Sequence, residues 1–434
     1  MKAMLLVFAV CIVGISVLFF IGKKPYHAMF VYYAGMFAQK FFMPNARVRE
    51  KVVVQIFLMV ACFLMAFIGY TAKKDKKISV SKIPCMEKGV LIAAFVVLVQ
   101  LINGYFSNYA IFFMLVDVYK VIEIFIFYFL FTYIWRTTEE LEKAIDLLSI
   151  EMCVFGVIEM FITERGGVGL NMIMSLAPIV FALGFYTRKK KFWFIIVCSL
   201  LIIIVSKTRT YLFGFVFAIL LVFLFANGKR KVKITFASVV TLLIGYGVVS
   251  AYVKVTDSQV FRTIIQRFLE LSEGFEEAGG YRIYEMEVAW SKFLESPIIG
   301  KGYGYLENLF IKKQGNVLWG DFMHNAYLEV LVKTGIFGFL TYGCGVVGYC
   351  LKQRKEMKRS KKYKNKETGF LVGGFAGTAC WLFVYFAAPL SSFGYVFIPG
   401  MIGLLFSKLY KKELDSQSGF LDVKDNENGR KSSS

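Results

Sequence analysis

Histidine is the scarcest catalytic side chain in this sequence, with only His27 and His324 among 434 residues. Two histidines exclude a metal site built from several imidazoles, and because no aspartate-x-aspartate pair occurs either, no metal is expected. Seven of the eight cysteines lie in apolar runs, which excludes a disulfide framework. The chain has no internal repeat, which disfavours a transporter, and no cofactor is expected.

Charged residues are also scarce, at 19% of the chain, whereas 57% of residues are hydrophobic and the mean hydropathy is +0.61. A soluble core does not need this much apolar surface. The net charge is +21, but the basic residues form short clusters between apolar runs. This pattern is typical of membrane topology and excludes nucleic acid as the expected partner.

Apolar runs recur along the chain at lengths that suit membrane helices, which need roughly 20 residues to cross about 30 Å of hydrocarbon. They predict an all-α polytopic membrane protein with about 12 to 13 transmembrane helices. The run 26–43 is the doubtful one, because Lys40, Arg47 and Arg49 follow it closely. The runs centre on 3–21, 26–43, 52–70, 88–105, 110–135, 144–162, 168–187, 191–206, 210–227, 232–254, 324–350, 369–390 and 392–410.

The basic loops predict the orientation of these helices, because short cytoplasmic loops carry an excess of lysine and arginine. The loops 71–88, 188–191, 228–233 and 351–366 are rich in both and should be cytoplasmic. The expected organisation is a set of N-terminal transmembrane helices at 1–254, an extracytoplasmic loop at 255–323, C-terminal transmembrane helices at 324–410 and a cytoplasmic tail at 411–434. The predicted location is the cytoplasmic membrane.

The long loop 255–323 differs in composition, with seven basic against ten acidic residues, and is predicted to form a helical cap. Helices are expected at 260–278 and 281–295, and the second should end where Ser296 precedes Pro297. A glycine-rich turn follows in the run GKGYGY. Asn325 is a suitable N-cap for the next membrane helix.

Basic residues on the outward side oppose the topological bias and are therefore candidates for function. The alternative is that each of them reaches lipid phosphate at the membrane surface. Arg209 stands out, because the polar break SKTRT at 206–210 separates two strongly apolar runs, and a desolvated guanidinium there needs an anion such as phosphate. Lys207 would help it. The set comprises Arg165, Lys207, Arg209, Arg262, Arg267 and Arg282.

His324 lies at the outward start of a membrane helix, in the run DFMHNAYLEVL. The positive end of the helix dipole favours neutral imidazole, which can act as a general base. A structural role is the alternative for a single histidine at a helix start.

Ionisable residues within the predicted membrane helices form a second group of candidates. Asp117, Lys120 and Glu123 are spaced at i, i+3 and i+6, and Glu329 and Lys333 at i, i+4, so neighbours can pair along one helix face. Such residues are functional suspects. The alternative is a self-neutralised group that fixes helix packing, and we expect Glu329 and Lys333 to pair structurally.

Three outward segments resemble, in their order and spacing, the O-antigen ligase and O-antigen polymerase (Wzy/WaaL-like) superfamily. They are SKTRT at 206–210, GYRIYEMEVAWSKFLESPIIGKGYG at 280–304 and HNAYLEVLVKTGIFG at 324–338. The resemblance covers about 130 residues. The N-terminal 200 residues match only as generic membrane helices.

The resemblance implies a metal-independent membrane glycosyltransferase of the GT-C-like fold that uses oligosaccharide carried on undecaprenyl diphosphate. Its active-site residues would be Arg209, Arg282 and His324, facing the extracytoplasmic side. Lys333 stands where relatives often have an acidic residue. The other predicted substrate-binding residues are Lys207, Arg165, Arg262, Arg267, Trp290, Asn325, Gly302 and Gly304.

The resulting hypothesis is a polysaccharide polymerase that joins lipid-linked repeat units for capsule, exopolysaccharide or O-antigen on the outer face of the membrane. Its alternatives are a ligase that moves glycan to another acceptor and a non-enzymatic exporter or flippase. The exporter has no use for His324. The lipid bilayer and the lipid-linked oligosaccharide are the expected partners, and a chain-length regulator and a flippase are candidate protein partners.

Overall fold

The computed structural model is helical in nearly all the residues that it describes, which are 28–42, 54–58, 60–62, 64, 86–133, 135, 137–162, 167–187, 189–206, 208–225, 275–305, 324–360, 365–388 and 394–431. Within these ranges no strand occurs. The helices are α1 (Ala28–Phe42), α2 (Met86–Phe106), α3 (Ile111–Tyr133), α4 (Thr138–Ile162), α5 (Val168–Thr187), α6 (Lys190–Val205), α7 (Arg209–Phe225), α8 (Phe275–Glu295), α9 (Ala326–Ser360), α10 (Asn365–Val384) and α11 (Gly394–Lys431).

Most helix bounds follow the apolar runs, because each run is long enough to satisfy its backbone within one helix. Two helices extend further, since α9 continues past 350 to Ser360 and α11 continues past 410 to Lys431. Three helices in the described ranges are long and apolar enough to cross a membrane: Val168–Thr187, Ala326–Ser360 and Lys366–Val384. Leu91–Phe106 and Thr210–Phe225 are shorter apolar helices. The all-α polytopic membrane fold is thus confirmed. The total of about 12 to 13 helices and the GT-C likeness stay predictions, since several of the predicted spans lie outside the described residues.

The described part of the 255–323 loop departs from prediction at one point. Helix α8 runs from Phe275 to Glu295 and continues through Gly279 and Gly280, where a break between two helices was predicted. The predicted break is wrong within this range, and 255–274 lies outside it. The end of α8 is as predicted, because Pro297 disfavours the helical conformation at Ser296.

The core of the bundle forms where α10 packs between α5, α7 and α11. Small residues allow this close packing. A Cβ on Gly373 would lie 2.5 Å from the Cα of Ile179, and a Cβ on Gly377 would lie 2.6 Å from the Cβ of Pro399. The buried Trp381 of α10 donates its indole N–H to the Ser175 hydroxyl of α5 at 2.9 Å. These contacts hold the helices whose ends carry the candidate site.

Helix α8 is joined to the bundle by the turn that follows it. We call this junction the glycine clasp, meaning residues 296–305 together with the kink in α9 at Gly335. Gly335 has φ +63° and ψ −170°, and a Cβ there would lie 2.3 Å from the Ile298 carbonyl oxygen. The backbone N–H of Ile336 donates to Pro297 O at 2.8 Å, and that of Lys301 donates to Val332 O at 2.8 Å.

Helix α2 completes the glycine clasp with two amide side chains. The Nε2 of the buried Gln100 donates to Ile299 O at 3.0 Å, and the Nδ2 of Asn103 donates to Gly300 O at 3.1 Å. The Tyr303 N–H in turn donates to Gln100 O at 3.2 Å. Buried carbonyls of an irregular turn need such donors, so these contacts fix the C-terminal end of α8 against α2 and α9.

Candidate functional site

The start of α9 is capped as the sequence predicts. The side-chain oxygen of Asn325 accepts the backbone N–H groups of Tyr327 at 3.0 Å and Leu328 at 3.1 Å. These two donors would otherwise have no partner within the helix. The Asn325 side-chain oxygen is used by this cap. The cap also holds the preceding residue, His324, at the start of the helix. Substrate binding by Asn325 stays a prediction.

The same helix start is attached to the end of α10. The Ala326 N–H is shared between Tyr385 O at 3.0 Å and Ala388 O at 3.1 Å. The Tyr327 hydroxyl donates to Leu382 O at 2.5 Å. The position of His324 is therefore determined by two helices, α9 and α10.

His324 contacts a carboxylate that sequence reasoning did not single out. Its Nδ1 lies 3.0 Å from both carboxylate oxygens of Glu285 on α8, and its backbone N–H donates to Glu285 Oε2 at 3.3 Å. Glu285 is 4% exposed, whereas the His324 side chain is 27% exposed. The partly exposed imidazole thus lies against a buried carboxylate.

The contact with Glu285 determines which imidazole nitrogen carries the proton. An ionised carboxylate only accepts hydrogen bonds, so Nδ1 must donate, and the lone pair of neutral His324 then belongs to Nε2. This is the tautomer that a general base needs when its Nδ1 is held by an orienting group. The arrangement can accept a proton at Nε2 while the carboxylate stabilises the imidazolium that forms.

Sequence reasoning counted Glu285 only among the acidic residues of the loop. A signal was present, because Glu285, Ala289 and Phe293 are spaced by four residues and form the buried face of α8. An acidic residue in an otherwise apolar stripe needs a buried partner. Arg282 precedes Glu285 by one helical turn, at i−3, and so lies on this face of the helix. The Arg282 side chain lies outside the described residues.

Arg209 is the first residue of α7, and the packing of α7 brings this helix start to the His324 end of the bundle. Two residues later, the Tyr211 ring lies 6.0 Å from the Trp381 ring of α10, and its hydroxyl donates to Asn171 at 3.0 Å. The Trp381 ring is in turn 5.3 Å from that of Tyr385, whose carbonyl holds the start of α9. The Arg209 side chain is outside the described set.

Four further basic residues were predicted to bind substrate. Lys207, Arg165, Arg262 and Arg267 fall outside the described residues, so their part in the site stays a prediction. Trp290 lies within the described part of α8 and is 50% exposed, and its ring lies 5.1 Å from the ring of Phe293.

The predicted substrate-binding glycines lie within the glycine clasp. The Gly302 N–H donates to Lys333 O at 2.9 Å, and the Gly304 N–H donates to Asp117 Oδ2 at 2.9 Å. Both amides are therefore committed within the protein in this structure. Both residues also have positive φ, +91° and +90°, which favours glycine. The geometry supports a packing role, and binding of substrate by these glycines stays untested.

Beneath the glycine clasp, the charged residues of α3 and α9 neutralise one another. Lys333 lies 2.6 Å from Asp117 and 3.3 Å from Glu329, while Lys120 bonds to Glu329 and lies 3.7 Å from Asp117. The group contains two cations and two anions, which favours the packing alternative. We call these four residues the charge cluster. Glu123 accepts a hydrogen bond from the Tyr32 hydroxyl at 2.6 Å.

Comparison with known proteins agrees with the motifs. No curated protein matches the chain. A family model described as O-antigen ligase matches residues 194–343, about a third of the chain. The matched range begins within α6 and ends within α9, so it contains Arg209, Arg282, Glu285 and His324. The segment 194–343 is therefore similar to the O-antigen ligase family, which confirms the resemblance to the O-antigen ligase and polymerase superfamily.

Proposed function

We propose that the protein is a membrane glycosyltransferase that polymerises oligosaccharide repeat units carried on a lipid diphosphate, with His324 as its general base. The single observation that carries the proposal is the contact between His324 and the buried Glu285. The family match supports transfer of a glycan, and the contact supplies the base that such a transfer uses.

The proposed reaction needs one proton acceptor and one anion-binding group. His324 Nε2 takes the proton from an acceptor hydroxyl, whose oxygen forms a bond to the anomeric carbon of the donor sugar. The bond between that carbon and the diphosphate oxygen breaks, and the lipid diphosphate leaves with the electron pair. Arg209 and Arg282 would stabilise the departing charge, since guanidinium groups suit phosphate oxygens.

No metal ion enters this proposal, because a lipid diphosphate is already a good leaving group and the two guanidinium groups supply the positive charge. The enzyme is expected to keep its activity in a chelator such as EDTA. Loss of activity in EDTA, with recovery on adding Mg²⁺, would contradict the metal-independent mechanism.

The test uses purified protein in liposomes with a lipid-diphosphate-linked repeat unit as both donor and acceptor. The wild type should produce a ladder of lengths, and His324→Ala should leave single repeat units on the lipid. The loss should be on the order of 10²–10⁴-fold, the usual contribution of a positioned general base. The double variant Arg209→Ala/Arg282→Ala should also abolish the ladder, and normal polymer from it would overturn the assignment of these arginines.

A ligase that transfers glycan to a different acceptor is the second candidate, because the matched family is described as O-antigen ligase. The chemistry at His324 would be the same, and only the acceptor would differ. The same liposome assay separates the two. A polymerase extends the lipid-linked repeat unit alone, whereas a ligase consumes donor only when a second acceptor is added.

A further inference from the structure

We propose that α8 and the turn after it lie against the lipid of one membrane leaflet through an exposed apolar stripe made by Trp290 and Leu294 of α8 and Ile298 of the turn. We call these three residues the lipid stripe. The inference concerns how the segment between the two membrane parts sits on the bilayer. It does not depend on the chemistry proposed for His324.

Helix α8 presents three different faces that are offset by one residue each. Glu285, Ala289 and Phe293 form the buried face against α9. The next residue after each of these forms an exposed apolar face, made by Met286, Trp290 and Leu294. The residue after that forms an exposed polar face, made by Glu287, Ser291 and Glu295. An i, i+4 spacing places each set on one face of a helix.

The lipid stripe is strongly exposed. Trp290 is 50% exposed, Leu294 58% and Ile298 70%. Single exposed apolar residues are normal in proteins. A row of large ones beside a polar row on the same helix is typical of a helix that contacts a membrane or another apolar partner.

The stripe runs directly into the exposed apolar surface of the membrane helix α9. The Phe337 N–H donates to Ile298 O at 3.1 Å, so the end of the stripe touches the first turn after the α9 kink. From that point Phe337 and Leu340 are themselves exposed, at 40% and 57%. They belong to a candidate membrane span, Ala326–Ser360, so lipid is the solvent expected around them.

Helix α2 extends the same surface sideways. The ring of Phe95 lies 6.4 Å from the ring of Phe337, and Phe95, Leu98 and Ile102 are all exposed. The stripe is therefore continuous with the outward faces of two apolar helices. This continuity is why we assign the bilayer, and not a separate protein, as its occupant.

The direction of α8 fits a helix that descends into one leaflet. Glu285 contacts His324 near the start of α9, and Pro297 bonds to Ile336 twelve residues further along both segments. Helix α8 runs beside the first part of α9 from Glu285 to its end at Glu295, a rise of about 15 Å at 1.5 Å per helical residue. Ile298 contacts the membrane helix α9 through Phe337, and Trp290 lies about two helical turns before it, as suits a tryptophan at a membrane interface.

With α8 against the bilayer, His324 lies beside a lipid surface. Groups carried on a lipid in that leaflet would meet α8 before they meet the histidine. The exposure of Trp290 is then explained by contact with lipid, and Trp290 would anchor the helix at the interface without binding sugar.

The test places a photoreactive residue on each exposed face of α8. The variants Trp290→p-benzoylphenylalanine and Leu294→p-benzoylphenylalanine report the stripe, while the same change at Glu287 and Ser291 provides matched controls on the polar face. Leu340 on α9 serves as the positive control. Each full-length variant is illuminated in liposomes of phosphatidylethanolamine and phosphatidylglycerol, and phospholipid adducts are quantified by mass spectrometry.

We expect several-fold more phospholipid adduct at positions 290 and 294 than at 287 and 291, and a yield comparable to that at Leu340. Equal yields on the two faces of α8, with a strong adduct at Leu340, would overturn the inference. Cross-links from 290 and 294 to another segment of the chain or to a second protein molecule, in place of lipid, would also overturn it.

A second measurement uses the conservative substitution Trp290→Phe, which should leave the fold nearly unchanged. Brominated phospholipids quench the emission of a tryptophan that they contact. Trp290 is one of five tryptophans in the chain. We expect the bromine-quenched part of the wild-type emission to be missing in Trp290→Phe. If the quenched component persists in Trp290→Phe and the lost emission is insensitive to bromine, Trp290 does not contact the bilayer.

Discussion

The two ends of α8 are held to the bundle in different ways. At its C-terminal end, the glycine clasp joins α8 to α2 and α9 through backbone hydrogen bonds and glycines that leave no room for a Cβ. Towards its N-terminal end, α8 meets α9 through the contact between Glu285 and the partly exposed His324. We therefore expect the first end to determine stability, and we propose that the second end carries the chemistry.

The glycine clasp should be the most sensitive point for folding. Gly335→Ala introduces a Cβ 2.3 Å from Ile298 O at a backbone conformation, φ +63° and ψ −170°, that favours glycine. Such strain costs about 1–3 kcal/mol before the clash is counted. We expect a large loss of folded protein, measured as the monodisperse fraction and the melting temperature in detergent.

Gly343→Ala is the matched control for this experiment. Gly343 lies in the same helix, and a Cβ there would meet nothing within 4 Å. The control should be neutral or stabilised by roughly 0.5–1 kcal/mol, because alanine is the better helix former. Similar behaviour of the two variants would remove the distinction between the ends of α8.

Substitutions in the charge cluster should have the next largest effect on stability. Lys333→Met leaves Asp117 and Glu329 with Lys120 as the remaining cation of the cluster, and breaking a buried pair costs roughly 3–5 kcal/mol. Adding Asp117→Asn removes one anion and keeps a side-chain oxygen for the Gly304 N–H. We expect the double variant to recover part of the melting temperature lost in the single one. A double variant that is less stable than the single variant would contradict mutual neutralisation.

Substitutions at Glu285 should affect the reaction more than the fold. Glu285→Gln keeps a hydrogen-bond acceptor for His324 Nδ1 but removes the charge that stabilises the imidazolium. We expect a lower rate with little change in melting temperature, and a rate loss smaller than that of His324→Ala, which removes a base worth roughly 10²–10⁴-fold.

Glu287→Gln is the matched control for the Glu285 variant. It makes the same chemical change two residues away on the exposed polar face of α8. The liposome assay should give it the wild-type rate. Equal rate losses at positions 285 and 287 would mean that the pair with His324 has no specific role.

The smallest effect is expected at the surface near the clasp. Hydrogen bonds from Lys292 and then Lys301 lower the pKa of the Glu295 carboxyl to about 2. A carboxyl with a lowered pKa stabilises the fold above its unfolded value of about 4.3, and this contribution is lost as the pH falls towards 2. Because Glu295 is exposed, Glu295→Gln should leave the melting temperature at pH 7 nearly unchanged. A large shift would assign a structural role to this surface group.

The sequence predicts the architecture well because the hydrophobic signal is local. The predicted run 168–187 is the range of α5, and the predicted N-cap at Asn325 is the observed one. Each depends on a few neighbouring residues, so no knowledge of distant contacts was needed. The family motifs similarly placed Arg209, Arg282 and His324 within one matched segment.

The sequence did not predict the features that arise from contacts between distant residues. Glu285 and His324 are 39 positions apart, and their contact depends on the side-by-side course of α8 and α9. The kink at Gly335 was also missed, because a glycine inside an apolar run reads as a continuous helix. The break expected at Gly279 and Gly280 was the opposite error, because α8 continues through both glycines.

We propose that Arg209, Arg282 and His324 converge where α8 meets the start of α9. The most direct measurement is a cryo-electron-microscopy map of the protein with a bound lipid-diphosphate-linked sugar. We expect diphosphate oxygens within hydrogen-bond reach of Arg209 and Arg282, with His324 Nε2 facing the sugar and all three side chains within about 10 Å of one another. A diphosphate bound elsewhere, or a His324 turned away from the sugar, would contradict it.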